Sequence, residues 1–257
     1  MRFSKWHALG NSYLLVERSE LGSPLTPTQA HRLCDVHSGI GSDGVLEVVS
    51  VDGTSAEVVI WNPDGSTAEM SGNGVRIAAR WLAARAGATE VTVSVGPREV
   101  AARLLGAHDV EQDMGAVEVG ETEEIDIDGE TVEFTPVSVG NPHAVVLLPP
   151  VREHLLRLGP RIERHPRFPE RTNVQLVGVD GPHELTALVW ERGAGETLAS
   201  GSSAVAAAAA AVARGLCESP VTVHLPGGDL GVAISTDGRA VLTGPAEQIC
   251  SGEALLS

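Results

Sequence analysis

One motif occurs twice in this chain with the same internal spacing. The first copy begins at Trp61, continues through Asn62-Pro63-Asp64-Gly65-Ser66 and reaches Ser71-Gly72-Asn73-Gly74. The second copy begins at Trp190 and reaches Ser200-Gly201-Ser202-Ser203. In both copies the serine follows the tryptophan by ten positions. Each copy has the order of strand, glycine-containing turn, small polar residue and helix start, so the chain is predicted to contain two similar halves.

The pattern around the two copies predicts an α/β (α+β) fold. Helices are expected over 26–36, 74–86, 151–158 and 202–214, and the last has no polar face, which predicts burial on all sides. Segments rich in β-branched residues predict strands over 12–17, 45–49, 56–61, 90–95, 143–148, 173–179, 185–191 and 221–224. We therefore expect two pseudo-symmetric halves, each a curved, mostly antiparallel sheet or barrel around a central helix, with the site in the cleft between them.

The boundary between the halves is predicted near Gly115, in an acidic segment of weak periodicity. This gives an N-terminal half, 1–115, that carries Ser71, and a C-terminal half, 116–257, that carries Ser200. The last strand is free to return to the N-terminal half. A length of 257 residues fits one large domain or two modest ones.

Charge and hydropathy restrict the partners. The formal charge is −16, from 34 acidic and 18 basic residues, and this charge repels phosphate backbones, so no nucleic-acid partner is expected. The longest wholly apolar run, 204–213, has ten residues, about half of the ~20 needed to span a bilayer. No membrane partner is expected, and the N-terminus lacks the apolar region of a signal peptide. A cytoplasmic location is expected.

The composition predicts chemistry without a cofactor. Lys5 is the only lysine in the sequence, and a lysine so near the N-terminus is a poor Schiff-base partner for pyridoxal phosphate. The cysteines Cys34, Cys217 and Cys250 are widely separated and odd in number, which argues against a disulfide framework or a zinc site. The nine histidines lack the spacing of metal ligands. We expect neither a metal nor another cofactor.

The two helix starts suit proton chemistry at an α-carbon. Inversion without a cofactor removes a proton from one face and returns one to the other, so it needs a side chain on each face. Free N–H groups at a helix start stabilise an anion such as a carboxylate. Taken alone, each serine before a helix is most simply a cap. The duplication at matched spacing favours a two-faced site that contains Ser71 and Ser200 over two coincidental caps.

The sequence resembles the diaminopimelate epimerase family, which consists of cofactor-independent amino-acid racemases. The resemblance covers nearly the whole chain. It lies in both motif copies and in His7-Ala8-Leu9-Gly10-Asn11-Ser12, Gly140-Asn141-Pro142-His143, Arg167-Phe168-Pro169-Glu170-Arg171-Thr172-Asn173 and Leu225-Pro226-Gly227-Gly228. It implies two-base inversion of L,L- to meso-diaminopimelate in lysine and cell-wall precursor synthesis. A small amino-acid substrate is the implied partner, and a homodimer is left open.

The resemblance also implies roles for individual residues. Ser71 and Ser200 stand where the family has its catalytic cysteines, and His143 and Glu191 correspond to the groups that tune them. The implied substrate contacts are Asn11, Asn62, Gly72, Asn73, Asn141, Asn173, Glu191, Arg192, Gly201 and Ser202. Among them Gly72, Asn73, Gly201 and Ser202 form the carboxylate-binding helix ends. Considered alone, Asn141 is typical of a turn and Asn173 of a strand end. His143, considered alone, is most simply a hydrogen-bonded residue of a strand.

Two departures from the family pattern bear on activity. Gly44 occupies a position that carries a side-chain contact in some relatives. The two serines matter more, because a thiol has a pKa near ~8.5 whereas a serine hydroxyl is a far weaker acid. Three interpretations stay open: an epimerase whose cysteines have been replaced, a natural isomerase or tautomerase that uses serines on a more acidic substrate, and a non-catalytic amino-acid-binding protein. In the first, turnover is expected to be absent or very slow.

Overall fold

The computed structural model describes residues 1–255, in which strands predominate and four α-helices occur. The described chain forms two compact units. The first unit comprises Met1–Asp113 and the described residues from Gly244 onward, and the second comprises Met114–Thr243. The domain limits predicted from the sequence, 1–115 and 116–257, stay a prediction, because this division describes packing and not independent folding.

The strands account for most of both units. In the first unit they are β1 Arg2–Ala8, β2 Asn11–Glu17, β3 Val45–Asp52, β4 Ser55–Trp61, β5 Thr67–Ala68, β6 Glu90–Val95, β7 Arg98–Leu105 and β19 Glu247–Glu253. In the second they are β9 Glu118–Val119, β10 Glu123–Ile127, β11 Glu130–Ser138, β12 Pro142–Leu147, β13 Asn173–Gly181, β14 Glu184–Glu191, β15 Gly195–Thr197, β16 Val221–Leu225 and β17 Gly228–Ile234. The points of division fall inside β8 Asp109–Ala116 and β18 Arg239–Pro245.

The order of strand pairing is the same within each unit. In the first, β1–β2 is antiparallel, β2–β3 parallel, β3–β4 antiparallel, β4–β6 parallel and β6–β7 antiparallel. In the second, β11–β12, β12–β13, β13–β14, β14–β16 and β16–β17 repeat this sequence of orientations. The last described strand, β19, pairs with β1. The predicted α/β class with two pseudo-symmetric, mostly antiparallel halves is confirmed.

One helix lies at the centre of each unit. Helix α2, Gly72–Ala86, packs against β1, β2, β4, β6 and β7, and it ends at Gly87 in a left-handed conformation. Helix α4, Gly201–Ala213, packs against β11–β14, β16 and β17, and its residues 204–211, all alanine except Val205, are buried. Both helices begin slightly before the predicted starts at 74 and 202. For α2 the reason is local, since the Ser71 side chain caps the helix and permits it to begin at the glycine that follows.

Helix α1, Pro27–Cys34, has the predicted capping box, in which Thr26 Oγ1 accepts from Gln29 N at 3.3 Å. Helix α3, Arg152–Glu163, continues beyond the predicted end at 158, so that prediction was wrong. The helix contains Pro160, and Gly159 lies against Trp190, where a Cβ would stand 2.8 Å from the ring. Among residues 1–255, none of the helices has the length and apolar character that crossing a bilayer requires.

Candidate active site

The first motif connects the end of β4 to the start of α2. Trp61 ends β4, and its indole Nε1 donates to Glu47 Oε2 at 3.0 Å. Glu47 is fully buried on β3 and also accepts from Arg18 Nε at 2.7 Å and from Leu25 N at 3.2 Å. Donors of this kind replace the water that a buried carboxylate loses. The tryptophan is therefore fixed at the point where the motif leaves the sheet.

Asn62 is engaged inside the turn that follows. Its Nδ2 donates to Ser66 Oγ at 2.9 Å, and its backbone N donates to Ser66 O at 2.8 Å. Gly65, with φ of 83°, donates to Asn62 O at 3.0 Å, and a Cβ at this glycine would stand 2.6 Å from Pro27 O. Asn62 thus holds the turn closed, and its role as a substrate contact stays a prediction.

Ser71 is the N-cap of α2. Its backbone is extended, and its Oγ accepts from Gly74 N at 3.0 Å. The same Oγ lies 3.1 Å from the Tyr13 hydroxyl, and either oxygen is able to donate. The cap identified from the sequence is confirmed, and Tyr13 is a contact that sequence reasoning missed.

Gly44 makes room for the Tyr13 ring. A Cβ at this position would lie 2.5 Å from Tyr13 Cε1 and 2.7 Å from Trp61 O, distances that side chains do not adopt. The glycine at the departure from the family pattern is therefore required by packing in this chain. The space next to the Gly44 backbone is filled by the aromatic ring.

Asn11 and Asn73 form a polar pair beside Ser71 in the first unit. Asn73 Nδ2 donates to Asn11 Oδ1 at 3.0 Å. Asn11 begins β2 after the two-residue turn Leu9-Gly10, in which φ is 54° and 85°. Positive φ at both turn positions matches the twist of an antiparallel hairpin, so the turn places Asn11 at the strand end. The structure brings these two predicted residues together.

Arg76 is a fully buried cation in the first turns of α2. Its Nη2 donates to Asn73 Oδ1 at 2.7 Å, and its Nη1 donates to Gly72 O at 3.3 Å. Burial lowers the pKa of the guanidinium to about 10, so the side chain stays charged at neutral pH. Within residues 1–255, none of the ion pairs includes Arg76. Sequence reasoning also missed this residue, which fixes Asn73 and adds positive charge near the helix start.

The second motif connects β14 to α4, and its serine makes different contacts from those of Ser71. Ser200 is the N-cap residue with an extended backbone, but its side chain makes no capping hydrogen bond in the described structure. Burial raises the pKa of the Glu191 carboxyl group, and the nearby Ser200 side chain opposes that rise by a smaller amount. Ser200 and Glu191 are therefore neighbours, and the tuning role of Glu191 stays a prediction.

Glu163 supports the turn of the second motif. Trp190 Nε1 donates to Glu163 Oε2 at 2.9 Å, and Gly193 N donates to Glu163 Oε1 at 2.9 Å. Asn173 Oδ1 accepts from Arg192 N at 2.9 Å. Asn173 and Arg192 are therefore brought together, but through the Arg192 backbone. The guanidinium of Arg192 donates to a backbone carbonyl at 3.4 Å.

His143 lies in a buried polar network of the second unit. Gln175 Nε2 lies 3.0 Å from His143 Nδ1 and 3.0 Å from Ser203 Oγ. His143 Nε2 lies 3.0 Å from Asn141 Oδ1. Because the Gln175 amide donates to Nδ1, the neutral ring carries its proton on Nε2 and donates it to Asn141. Burial lowers the pKa of His143 to about 3, so the ring is uncharged at neutral pH.

The route from His143 to the helix start runs through residues that were not predicted. Gln175 is fully buried on β13, and Ser203 is fully buried in the first turn of α4. They link His143 to the helix that Ser200 begins. A weak signal exists in the sequence, because Gln175 follows Asn173 by two positions and so shares its face of the strand. The tuning role of His143 stays a prediction.

Each of the two helix starts is suited to anion binding. Gly72 and Gly201 are the first residues of α2 and α4, so their N–H groups belong to the unbonded set at a helix start. Ser202 follows in the same turn of α4. Across the described residues, no group of three or more His, Cys, Asp or Glu side chains is placed to hold a metal ion.

The chain is similar in sequence to named epimerases. The sequence profile of a family described as "Diaminopimelate epimerase" matches residues 3–120 and 135–249. A diaminopimelate epimerase of Synechocystis is 40% identical over 275 aligned positions, which cover 99% of each chain. One of Desulfitobacterium hafniense is 38% identical and covers 99% of this chain and 98% of its own.

Solved structures share the fold at low sequence identity. A hydroxyproline epimerase of Agrobacterium vitis superposes with a TM-score of 0.72 at 15% identity, over 98% of this chain and 90% of its own. A phenazine biosynthesis protein of Bacillus anthracis superposes with a TM-score of 0.75 at 12% identity, over 100% of this chain and 99% of its own. At such identities the likeness concerns the fold alone.

Proposed function

Because the chain belongs to the diaminopimelate epimerase family, we propose that its site binds diaminopimelate and is built to invert an α-carbon between the L,L and meso forms without a cofactor. One observation carries the proposal. In each unit the motif ends in a serine that begins the central helix, at Ser71 for α2 and at Ser200 for α4. Nothing else in the chain repeats in this way at matched spacing.

The substrate carboxylate is proposed to bind at the helix starts. The N–H groups of Gly72 and Gly201 donate to its oxygens, and the helix dipoles favour the negative charge. The buried Arg76 cation adds to the positive potential at the start of α2. Asn11, Asn62, Asn73, Asn141, Asn173, Glu191, Arg192 and Ser202 are the proposed contacts to the remaining polar groups of the substrate.

The reaction itself is two proton transfers. A base on one face takes the α-proton, and the electron pair of the C–H bond is delocalised into the carboxylate held at the helix starts. A proton donor on the opposite face then protonates the same carbon. We assign these two positions to residues 71 and 200. Glu191 neighbours residue 200 and is proposed to act on it, and His143 is proposed to act as a neutral group that orients its neighbours.

The serines limit the rate of this reaction. A hydroxyl does not ionise near neutral pH, so neither Ser71 nor Ser200 is a base of suitable strength. Binding needs only backbone N–H groups and neutral or charged partners, which are present with serine. A second candidate function follows from the cap at Ser71, whose Oγ is already used by Gly74 N: a protein that binds the amino acid and does not turn it over.

Calorimetry with L,L- and meso-diaminopimelate tests the substrate proposal. We expect both to bind, and we expect a matched analogue that lacks one carboxylate to bind more weakly. A variant with Gly201→Pro, which removes one N–H at the start of α4, provides a negative control for the carboxylate subsite. Failure of both stereoisomers to bind, with binding of an unrelated ligand, would contradict the proposal.

The cellular role is proposed from the same reaction. Inversion of diaminopimelate serves lysine and cell-wall precursor synthesis, in the cytoplasm. The experiment is complementation of a strain that requires meso-diaminopimelate. We expect no rescue by the chain with Ser71 and Ser200, and rescue by the doubly cysteine-substituted chain. Rescue by neither would place the natural substrate elsewhere.

A further inference from the structure

Tyr13 is held against Ser71 from a distant part of the sequence. Its hydroxyl lies 3.1 Å from Ser71 Oγ although the two residues are 58 positions apart. The ring is 7% exposed and belongs to the apolar core that packs under α2. A ring held in this way loses little further freedom when its hydroxyl makes a hydrogen bond. The contact is therefore fixed by the packing of the first unit.

Gly44 leaves the space that the Tyr13 ring occupies. Any side chain at this position would overlap Tyr13 Cε1 and Cδ1, at 2.5 and 2.9 Å from the added Cβ. Tyr13 and Gly44 together place a hydroxyl group next to Ser71 Oγ.

Two donors are aimed at the Ser71 oxygen. A hydroxyl oxygen has two acceptor positions and one proton. Gly74 N–H occupies one acceptor position, at 3.0 Å. The Tyr13 hydroxyl, when it donates, occupies the second. If the atom at position 71 carries negative charge, both donors stabilise that charge, because hydrogen bonds to the charged form favour it.

We propose that Tyr13 is a positioning residue for the acting side chain at position 71, and that its hydroxyl donates to the acting atom and stabilises the deprotonated state of that atom. The inference rests on the proposed function, in which residue 71 exchanges a proton with the substrate. It adds a group that neither the motif nor its spacing reveals. With serine the stabilisation is too small to produce an alkoxide at neutral pH. With a thiol at the same position it is large enough to measure.

The one tyrosine of the sequence contacts Ser71, so position 200 serves as an internal control. The Glu191 carboxyl group neighbours the Ser200 side chain, so an acidic group lies next to the acting atom there. A carboxylate next to a thiol disfavours the thiolate by like charge. The two positions are therefore predicted to differ in acidity, and only position 71 is predicted to respond to Tyr13.

The experiment measures the pKa of a thiol introduced by Ser71→Cys, in chains with Tyr13 and with Tyr13→Phe. Both carry Cys250→Ser, because Cys250 is exposed, whereas Cys34 and Cys217 are buried and burial raises the pKa of each thiol. The readout is the pH dependence of alkylation by iodoacetamide, without substrate. We expect Tyr13→Phe to raise the pKa of the introduced thiol by about one unit, which is about tenfold slower alkylation at a fixed pH below that pKa.

The matched control is Ser200→Cys in the same two backgrounds, where Tyr13→Phe is expected to leave the thiol pKa unchanged. A second variant, Gly44→Ala, displaces the ring and is expected to raise the thiol pKa at position 71 as Tyr13→Phe does. An unchanged pKa at position 71 in both variants overturns the proposal, and so does an equal shift at positions 71 and 200. Because no substrate is present, this result is independent of whether diaminopimelate is the ligand.

Discussion

The indole N–H of Trp190 donates to the carboxylate of Glu163, with 2.9 Å between Nε1 and Oε2. The first unit contains the same relationship between Trp61 and Glu47, at 3.0 Å. The two acids come from different elements, since Glu47 lies on β3 and Glu163 ends α3. Each motif therefore begins at a tryptophan that is fixed by a buried carboxylate, although only the tryptophans are repeated in sequence.

Glu163→Gln is predicted to destabilise the protein. Glu163 accepts from both Trp190 Nε1 and Gly193 N. A glutamine offers one acceptor oxygen and turns an amide N–H₂ toward the other donor, which leaves one of the two partly buried donors without its acceptor. We expect a loss of about 1–3 kcal/mol in the free energy of unfolding, measured with urea. The matched control is Glu130→Gln, which breaks an exposed pair with Arg157 and should change stability little. Equal effects would contradict this account.

Arg76→Met is predicted to weaken the binding of a carboxylate ligand. The substitution removes a buried cation near the start of α2 and the donor that holds Asn73 Oδ1. We expect affinity to fall about tenfold, which is ~1.4 kcal/mol, by calorimetry. Arg80→Met removes the same charge one turn further along the helix and is the control, with little effect expected. If both variants lose the same affinity, the effect belongs to net charge and not to Arg76.

His143 is predicted to make stability fall on acidification. Its pKa is lowered to about 3 in the folded protein by burial, from the ordinary value of 6.5. The stability from keeping the ring neutral is therefore present above pH 6.5 and is lost as pH falls toward 3, by about 1.4 kcal/mol per pH unit. His143→Gln, which keeps a donor and an acceptor, should remove this slope between pH 6.5 and 5. An unchanged slope would show that another group titrates.

His224 is predicted to have the opposite effect on the pH dependence of stability. Its hydrogen bond from Nδ1 to Asp229, at 2.8 Å, raises the pKa of the ring. The stability from this pair is present below pH 6.5 and is lost as pH rises through the folded pKa. Because the pair is exposed, the effect should be small and should decrease with added salt. His224→Asn should therefore leave the acid limb assigned to His143 intact, as followed by urea unfolding at several pH values.

The repeat was the part of the fold that the sequence predicted best. Both central helices and their serine caps, at Ser71 and Ser200, follow from local rules for helix starts. Strands β1, β7, β8, β10, β11 and β17–β19 were not predicted, because charged or small residues interrupt their apolar alternation, and the strands β5, β9 and β15 are too short to give a pattern. In β8, for instance, the inward positions are filled by Val110, Gln112 and Met114. Burial of a glutamine is decided by tertiary packing, which a strand pattern does not contain.

The candidate site shows the same difference between local features and long-range contacts. The members of a motif could be named from the sequence, such as Glu191 and Ser200, and a hairpin returns the chain so that these two are neighbours. Contacts between distant segments could not be predicted. Tyr13 meets Ser71 across 58 positions, and Gln175 meets His143 across 32. Arg76 reads as a solvent-facing helix residue until its burial is known.

Single restoration of a cysteine is predicted to give little turnover. Inversion needs a group on each face, so Ser71→Cys alone leaves no competent partner, and Ser200→Cys alone leaves the same gap. Groups that act together show strongly non-additive effects when changed singly. The measurement is the interconversion of L,L- and meso-diaminopimelate. High turnover in either single variant would indicate that one thiol suffices and that the remaining serine is competent.

The most direct test is solvent deuterium uptake at the α-carbon of diaminopimelate, compared between the unmodified chain and the chain with Ser71→Cys and Ser200→Cys. The account predicts negligible uptake with both serines and an increase of several orders of magnitude, roughly 10³-fold or more, with both thiols. Rapid uptake by the unmodified chain would contradict it and indicate a serine-based mechanism. A doubly substituted chain that binds diaminopimelate but exchanges no deuterium would contradict the assignment of residues 71 and 200 as the two bases.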